Sequence, residues 1–251
     1  MAEGQDARRI EIRKLSGLDE LNEAVRLQKE IWGFADIELL PLRLFVVAQK
    51  VGGQTLGAFD GPRMVGFLLA VPGLKQGTPY LHSHMMGVLP EYRNLGVGRR
   101  LKLAQREEAL SRGIRLIEWT FDPLELKNAF FNIERLGAIV RRYVLNQYGT
   151  TSSPLHGGLP TDRCVAEWHL DSPRVAAIVE GRRPERGPVA AQVAIPANIA
   201  EIRASNPQKA REIQTEASEK FIQYLDRGLA VTGFERTADS GIYLLEQWPS
   251  E

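Results

Sequence analysis

The chain has 251 residues, of which 43% are hydrophobic and 25% are charged, and its formal net charge is +1. This composition is ordinary for a globular protein with its own core, and the small net charge gives no overall field that would attract nucleic acid. The single cysteine, Cys164, excludes an internal disulfide and a cysteine-based zinc cluster.

The beginning of the chain and its apolar runs bear on localisation. The segment Met1–Lys14 is polar, which is not the pattern of a secretory signal. No apolar run reaches the roughly 18 residues that a membrane-spanning helix needs. We therefore expect a cytoplasmic protein without a membrane partner.

Hydrophobic periodicity and turn residues predict an α+β order over the first two thirds of the chain. The predicted strands are Arg9–Leu15, Gln54–Phe59, Arg63–Val71, Tyr80–Val88, Ile114–Phe121, Ala138–Val144 and Arg163–Leu170. The predicted helices are Ser16–Gly33, Pro41–Val51, a helix that ends at Gly113, and Leu126–Leu136.

A change of composition separates the last part of the chain. Arginines among prolines and glycines predict a linker at residues 171–190. Beyond it we predict a strand at Gln192–Pro196, a helix from Asn206 to Gly228, and strands at Ala230–Phe234 and Gly241–Gln247. The predicted organisation is a domain at 1–170, the linker, and a C-terminal strand–helix–strand extension at 191–251. The sequence leaves open whether this extension completes the sheet, shapes the acceptor pocket or mediates a homodimer.

The most informative segment is a glycine turn between a predicted strand and a predicted helix, Arg93-Asn94-Leu95-Gly96-Val97-Gly98. A helix N-terminus offers unpaired N–H groups to an anion, glycine admits a close approach, and arginine adds a forked positive charge. A Walker loop would continue with Lys and Ser or Thr, but Arg99 and Arg100 follow here. A dinucleotide fingerprint would have a third glycine where this chain has Leu101. A pyrophosphate turn of the form Arg-x-x-Gly-x-Gly remains.

Two segments carry a resemblance to a known family. Val88-Leu89-Pro90-Glu91-Tyr92 and the turn that follows closely resemble the acyl-CoA-binding motif of the GNAT (GCN5-related N-acetyltransferase) superfamily. Residues 128–138 look like the second cofactor helix of that family, and the order of elements over residues 9–170 fits as well. The resemblance implies the GNAT fold, a mixed, mostly antiparallel central sheet flanked by helices, here with a C-terminal α+β extension.

The resemblance also implies a donor and the residues that hold it. The cosubstrate is acetyl-CoA or another acyl-CoA. The implied contacts are the main chain of one strand, the turn and its first helical residues, and the second cofactor helix. These residues are Met86, Gly87, Val88, Arg93, Asn94, Leu95, Gly96, Val97, Gly98, Arg99, Asn128 and Phe131.

In this family an amine attacks the thioester directly, so the protein has to accept a proton. Strand alternation predicts that His82, His84, Met86 and Val88 share one face, and imidazole is a suitable base near neutral pH. Glu118, amid apolar neighbours, is a further candidate base. The alternatives are structural histidines, a salt-bridged Glu118, and a histidine metal pair, which the lack of nearby carboxylates disfavours; we assign no metal.

The chain departs from the family at one position. The tyrosine that often protonates the leaving thiolate would lie four residues before Gly137, where this chain has Ile133. Either the thiolate leaves unassisted or another group serves, with Tyr143 and Tyr148 nearby in sequence.

We predict that the acceptor site lies outside the donor motifs. Arg163, Glu167 and Trp168 form a polar and aromatic cluster, in which arginine suits a substrate carboxylate, with a structural ion pair as the alternative. The loop Asn146–Asp162 would cover the site as a lid.

The sequence thus predicts an acyl-CoA-dependent N-acyltransferase that moves an acetyl group, with succinyl as a variant, to a primary amine of a small molecule such as an amino acid. Acetylation of a protein or peptide is the first alternative. A catalytically weak acyl-CoA sensor or structural protein is the second, and Ile133 is the feature that favours it.

Overall fold

The computed structural model describes residues 10–149 and 158–248. These residues form two compact units, one that ends at Arg115 and one that begins at Leu116. Helices and antiparallel strands make up both units, which confirms the predicted α+β class.

In the first unit, three helices accompany a four-stranded antiparallel sheet with the order β1-β2-β3-β4. The strands are β1 (Ile10–Lys14), β2 (Gln54–Asp60), β3 (Arg63–Lys75) and β4 (Thr78–Val88). The helices are α1 (Gly17–Trp32), α2 (Leu42–Lys50) and α3 (Val97–Ser111). Gly33 ends α1 in the left-handed conformation, with φ 67°, as its position after the apolar stripe predicts.

In the second unit, the described strands follow the order β5-β7-β6-β9-β10-β8, and the neighbours are antiparallel. The strands are β5 (Leu116–Phe121), β6 (Ile139–Val144), β7 (Arg163–His169), β8 (Ala191–Pro196), β9 (Leu229–Arg236) and β10 (Ser240–Gln247). The helices are α4 (Leu126–Phe130), a π-helix (Phe131–Arg135), α5 (Pro173–Val179), α6 (Ile199–Ser205) and α7 (Pro207–Asp226).

The C-terminal helix begins as the sequence predicts. The Asn206 side chain accepts a hydrogen bond from the Lys209 N–H, and Pro207 takes the first helical position. Both residues suit a helix start, because asparagine satisfies an orphan N–H and proline has none to lose.

The structure differs from the sequence prediction in three places of the second unit. The predicted helix Leu126–Leu136 continues after Phe130 as a π-helix, and the predicted linker contains α5. The short helix α6 was missed. In addition, β9 pairs with β6, at Val140 and Val231, so the C-terminal extension belongs to the sheet of this unit. The predicted boundaries at 170 and 190 stay a prediction.

Within residues 10–149 and 158–248, no helix combines the length and the apolar character that crossing a bilayer would require.

A buried polar network ties α3 to two strands of the first unit. Lys102 is 3% exposed, and its Nζ donates to Ser83 Oγ on β4 at 2.8 Å and to Gln105 Oε1 at 3.0 Å. The Gln105 amide in turn donates to Gln54 Oε1 on β2 at 3.0 Å. Burial removes the ammonium from water and lowers the pKa of Lys102 well below its usual range. The network therefore fixes the position of Ser83, and the free-energy cost of burying the Lys102 ammonium depends on pH.

We expect the substitution Lys102→Met to remove a pH dependence of stability. The unfolded chain holds the lysine proton more tightly than the folded chain does. The free energy of unfolding therefore rises with pH between the lowered pKa and the ordinary lysine value of about 10.4, by at most about 1.4 kcal/mol per pH unit. Urea unfolding from about pH 7 to about pH 10 should show this contribution in the wild type and its loss in the variant. Lys50→Met, at an exposed site on α2, is the control and should keep the wild-type slope. Parallel curves for the wild type and Lys102→Met would contradict the expectation.

Candidate functional site

The glycine turn connects β4 to α3 as an exposed anion cradle. Asn94 and Gly96 have φ values of 63° and 79°, and α3 begins directly afterwards at Val97. Within the described part of the chain, no side chain caps this helix start, and its first turn holds no acidic residue. The first N–H groups of α3 thus stay available to a negatively charged ligand, which the helix dipole also favours.

Arg93 links the turn to the ends of β4 and α1. Its Nε donates to the Val88 carbonyl of β4 at 3.2 Å, and its Nη2 donates to the Ile31 carbonyl of α1 at 3.3 Å. Among the described residues, Nη1 has no hydrogen-bond partner, and the side chain is exposed. The guanidinium is therefore fixed at the mouth of the turn with donor capacity to spare.

A β-bulge at His84 reverses the alternation of β4. Ala70 of β3 pairs with Ser83 and Leu69 pairs with Met85, so His84 is the extra residue. Neighbouring residues of β3 face opposite sides, and Ser83 and Met85 therefore lie on opposite faces. The predicted common face for His82, Met86 and Val88 is thus wrong, because the bulge lies between His82 and the other two.

The bulge leaves the two histidines as neighbours. Their ring centroids are 6.0 Å apart at an interplanar angle of 44°. The His84 side chain is exposed, whereas Ser83 beside it is buried in the network under Lys102. The surrounding protein partly desolvates His84 and lowers the pKa of its imidazole, so this ring is neutral at pH 7.

Gly87 allows α1 to lie directly against the end of β4. A Cβ built on this residue would lie 2.7 Å from Trp32 Cη2 and 2.8 Å from Ile31 Cδ1. Trp32 stacks on Phe34 with centroids 5.4 Å apart, which makes its ring a rigid neighbour. A half-buried aromatic pair thus flanks the main chain predicted to meet the pantetheine arm.

In the second unit, the predicted second cofactor helix exposes some of its candidate residues and buries others. Asn128 is exposed and Phe131 is half-buried, whereas Ile133 is fully buried. The π-helix carries both Phe131 and Ile133. Such irregular turns occur often at functional sites.

Glu118 and Glu167 face each other on β5 and β7 and share two arginines. Both carboxylates are at most 5% exposed, and they are direct partners in the strand register. Arg142 Nη2 lies 2.7 Å from Glu118 Oε1, and its Nε lies 3.2 Å from Glu167 Oε1. Arg141 reaches Glu167 Oε2 at 2.6 Å. Both carboxylates are therefore ion-paired with neighbouring guanidinium groups.

The two arginines were missed from the sequence as site residues. Arg141 is the extra residue of a bulge in β6, between the pairs Val140–Ala166 and Arg142–Val165. The bulge lets adjacent side chains reach the same carboxylate. Two consecutive arginines in an otherwise apolar strand were the available signal, since a regular strand would place one of them on the opposite face.

Arg163 and Trp168, predicted to bind substrate, lie in packed positions. Trp168 is 0% exposed and its Nε1 donates to the Leu136 carbonyl at 2.7 Å, so it fixes the end of the π-helical segment and offers no surface to a ligand. Arg163 is 8% exposed, donates to the Asp162 carbonyl at 2.8 Å and lies over the Tyr148 ring. Glu167 is the member of the predicted trio that pairs with Arg141 and Arg142.

The predicted lid lies partly outside the described residues, since residues 150–157 are not described. Its two ends are tied together, because the Gln147 N–H donates to the Thr161 carbonyl at 3.0 Å and Asn146 Oδ1 accepts from the Thr161 N–H at 3.1 Å. The role as a lid stays a prediction.

Comparison with known proteins agrees with this arrangement. The model of the acetyltransferase (GNAT) family matches residues 19–137. The fold resembles three solved structures. One is the ribosomal-protein-S18-alanine N-acetyltransferase from Escherichia coli, with 17% identity over 65% of this chain and 95% of that chain and a TM-score of 0.52. Another is Naa20 from Chaetomium thermophilum in complex with a bisubstrate analogue, with 16% identity over 70% and 93% and a TM-score of 0.50. The third is an acetyltransferase of the GNAT family from Streptococcus pneumoniae, with 14% identity over 63% and 98% and a TM-score of 0.50.

At these identities the solved structures establish the fold alone, and no curated protein matches the sequence. The family model spans residues 19–137, so this part of the chain is a GNAT acetyltransferase domain. It is accordingly an N-acetyltransferase, and the predicted GNAT fold is confirmed.

We expect Gly87→Ala to destabilise the first unit through its contact with α1. Overpacking of this kind costs about 1–3 kcal/mol, and the rigid indole of Trp32 cannot turn away from the new methyl group. Trp32→Leu should reduce the cost of Gly87→Ala, and urea unfolding of the two single variants and the double variant measures this coupling. If the changes in unfolding free energy of Gly87→Ala and Trp32→Leu simply add in the double variant, the Trp32 ring is not the reason that position 87 requires glycine.

Proposed function

We propose that the protein is an acyl-CoA-dependent N-acyltransferase that transfers an acetyl group, or a related acyl group such as succinyl, to a primary amine of a small molecule such as an amino acid. The observation that carries the proposal is the exposed start of α3. Its first N–H groups have no side-chain cap among the described residues, and Arg93 stands at its mouth.

The donor residues fit a CoA pyrophosphate on chemical grounds. Phosphate oxygens accept hydrogen bonds from backbone N–H groups and from a guanidinium, and both are present at residues 93–99. The exposed Asn128 amide can donate to and accept from the amides of the pantetheine arm, with Phe131 beside it, and the main chain of residues 86–88 is the other candidate partner. When bound, acyl-CoA supplies the activated thioester.

His84 is the proposed base. An amine attacks only in its neutral form, so a group of the protein has to accept the proton. The imidazole of His84 is exposed and, because desolvation lowers its pKa, neutral at pH 7. One of its ring nitrogens can therefore take the proton, directly or through water. His82 lies beside it and is proposed to orient the amine or its water.

The charge cluster of the second unit is proposed to bind the acceptor. An amino acid carries a carboxylate, and the cluster offers it the half-exposed Arg142, which the buried Glu118 and Glu167 hold in place. Glu118 is also the alternative base. The described geometry of Arg163 and Trp168 supports a role in packing, and the proposal gives neither of them a substrate contact.

A panel of acceptors tests the proposed reaction. Thiol release from acetyl-CoA and from succinyl-CoA is followed with free amino acids, simple amines and peptides with free N-termini. Release with amino acids or small amines supports the proposal, and mass spectrometry identifies the acylated product. Release with peptides alone would replace it by protein acetylation. No release with any amine would overturn it.

We expect Arg93→Glu to weaken CoA binding at least tenfold, because it places a negative charge at the mouth of the anion cradle. Isothermal titration with CoA measures the change, and circular dichroism checks the fold. Lys50→Glu makes the same charge change at an exposed site of α2 in the same unit and should bind CoA as the wild type does. Unchanged affinity in Arg93→Glu would refute the placement of the pyrophosphate.

We expect the acidic limb of the pH–rate profile to report on His84. Activity should fall as pH falls through the lowered pKa of its imidazole, since the protonated ring cannot accept a proton. His84→Gln should lose about 10²–10⁴-fold in kcat and lose this limb, whereas His82→Gln should retain it. A limb that survives in His84→Gln would transfer the role to another group, with Glu118→Gln as the next variant to test.

A further inference from the structure

Two irregularities of the second unit meet at one half-buried arginine, Arg174. The first is the π-helix, after which Gly137 adopts φ 83° and the Ala138 N–H bonds to the Asn132 carbonyl at 3.0 Å. The second is a bulge in β9, where Gly233 pairs with Leu244 and Val231 pairs with Leu245, so that Thr232 is the extra residue. Each irregularity takes peptide groups out of the regular hydrogen-bond ladders.

Arg174, the second residue of α5, donates to peptide carbonyls at both irregular places. Its Nε donates to the Gly137 carbonyl at 3.1 Å, and its Nη2 donates to the Ile133 carbonyl at 3.4 Å and to the Thr232 carbonyl at 2.5 Å. Among the described residues, it forms no ion pair with a carboxylate. Burial lowers the pKa of Arg174 to about 10, so the guanidinium stays charged at neutral pH and donates to these carbonyl groups as a cation.

A second contact joins the same helix to the same strand. Glu134 in the π-helix accepts a hydrogen bond from the Phe234 N–H of β9 at 2.7 Å, and Arg186 pairs with this carboxylate at 2.6 Å. The family model ends at Gly137, whereas Arg174, Arg186 and β9 come later in the chain. Residues beyond the family model thus hold the end of the π-helix, which is the last helix that the family model covers.

We propose that Arg174 is a positioning residue of the donor site: it fixes the end of the second cofactor helix and thereby the direction in which Asn128 and Phe131 face the acyl donor. The inference rests on the proposed function, because the helix serves the donor only if acyl-CoA binds there. It gives the part of the chain beyond the family model a task in the reaction, since α5 and β9 hold the helix from two sides.

The test compares Arg174→Met with a control at a buried site of the same unit. Arg174→Met keeps the apolar stem and removes all three hydrogen bonds. Ile195→Ala, at a fully buried site on β8, destabilises the same unit without touching the helix end. Two quantities are measured for each variant, namely hydrogen exchange of the amides in residues 129–138 and the dissociation constant for CoA.

In Arg174→Met we expect at least tenfold faster exchange in residues 129–138 and at least tenfold weaker CoA binding. KM for the acyl donor should rise with a smaller change in kcat. Ile195→Ala should match the wild type in these properties. Arg174→Lys keeps a charged donor and should recover part of both losses. Arg174→Gln keeps one donor group and replaces the methionine variant if that protein does not fold.

Unchanged exchange in Arg174→Met, or in Arg174→Gln where that variant is used, would overturn the inference. So would faster exchange with unchanged CoA affinity, because the arginine would then hold the helix without serving the donor, and so would equal effects in Ile195→Ala. A wild-type protein that does not bind CoA would instead refute the proposed function, while the exchange data would still show whether Arg174 holds the helix.

Discussion

Peptide groups that the helices and strands leave without a partner determine where this molecule can hold a ligand. A buried N–H or C=O without a hydrogen bond is costly, so each irregular place needs either a side chain or a ligand. At the start of α3 the structure supplies no side chain among the described residues, and the turn is exposed. At the end of the π-helix, which is buried, it supplies Arg174. The start of α3 can bind a ligand because its N–H groups have no side-chain partner there. The carbonyl groups at the end of the π-helix already accept hydrogen bonds from Arg174 and need no ligand.

The β-bulges extend this principle to the side chains that carry charge. The bulge at His84 turns β4 over, so that Ser83 is held from within by Lys102 while His84 stays exposed. The bulge at Arg141 brings two arginines to Glu167. Each bulge thus exchanges a regular ladder position for a particular placement of a titratable group, and this is why the candidate base and the charge cluster lie at interrupted strands.

The regular part of the fold follows from the sequence to within a few residues, because its signals are local. Asn206 and Pro207 start α7, Gly33 ends α1, and the glycine turn marks the start of α3. The bulges and the π-helix do not follow, since inserting one residue into a strand or a helical turn leaves the apolar pattern almost intact. For the same reason the common face predicted for His82, Met86 and Val88 fails at His84.

Burial was the other property that residue type could not reveal. Trp168 and Arg163 look like ligand contacts as residue types, yet packing takes up the surface of both. The signals for Arg141 and Arg174 were weaker still. A pair of arginines in a strand and one arginine in an apparent linker acquire meaning only when tertiary structure shows which carboxylate or carbonyl groups they meet.

Ile133 is buried at the position where the family resemblance would place a tyrosine that protonates the leaving thiolate. The proton transfer that then needs a group of the protein is the one from the amine. Tyr143 cannot replace the family tyrosine, because its ring is stacked on Phe221 and burial raises the pKa of its phenol. Tyr148 is exposed and shares a 3.0 Å hydrogen bond with Thr120 Oγ1. A thiolate, however, is a weak enough base to leave without being protonated first, since a cysteine thiol has a pKa of only about 8.5. An alkyl ammonium, with a pKa of about 10 like that of lysine, has to lose its proton before it can attack. Deprotonation of the amine is therefore the step that most needs a group of the protein, and it is the step for which His84 is the proposed base.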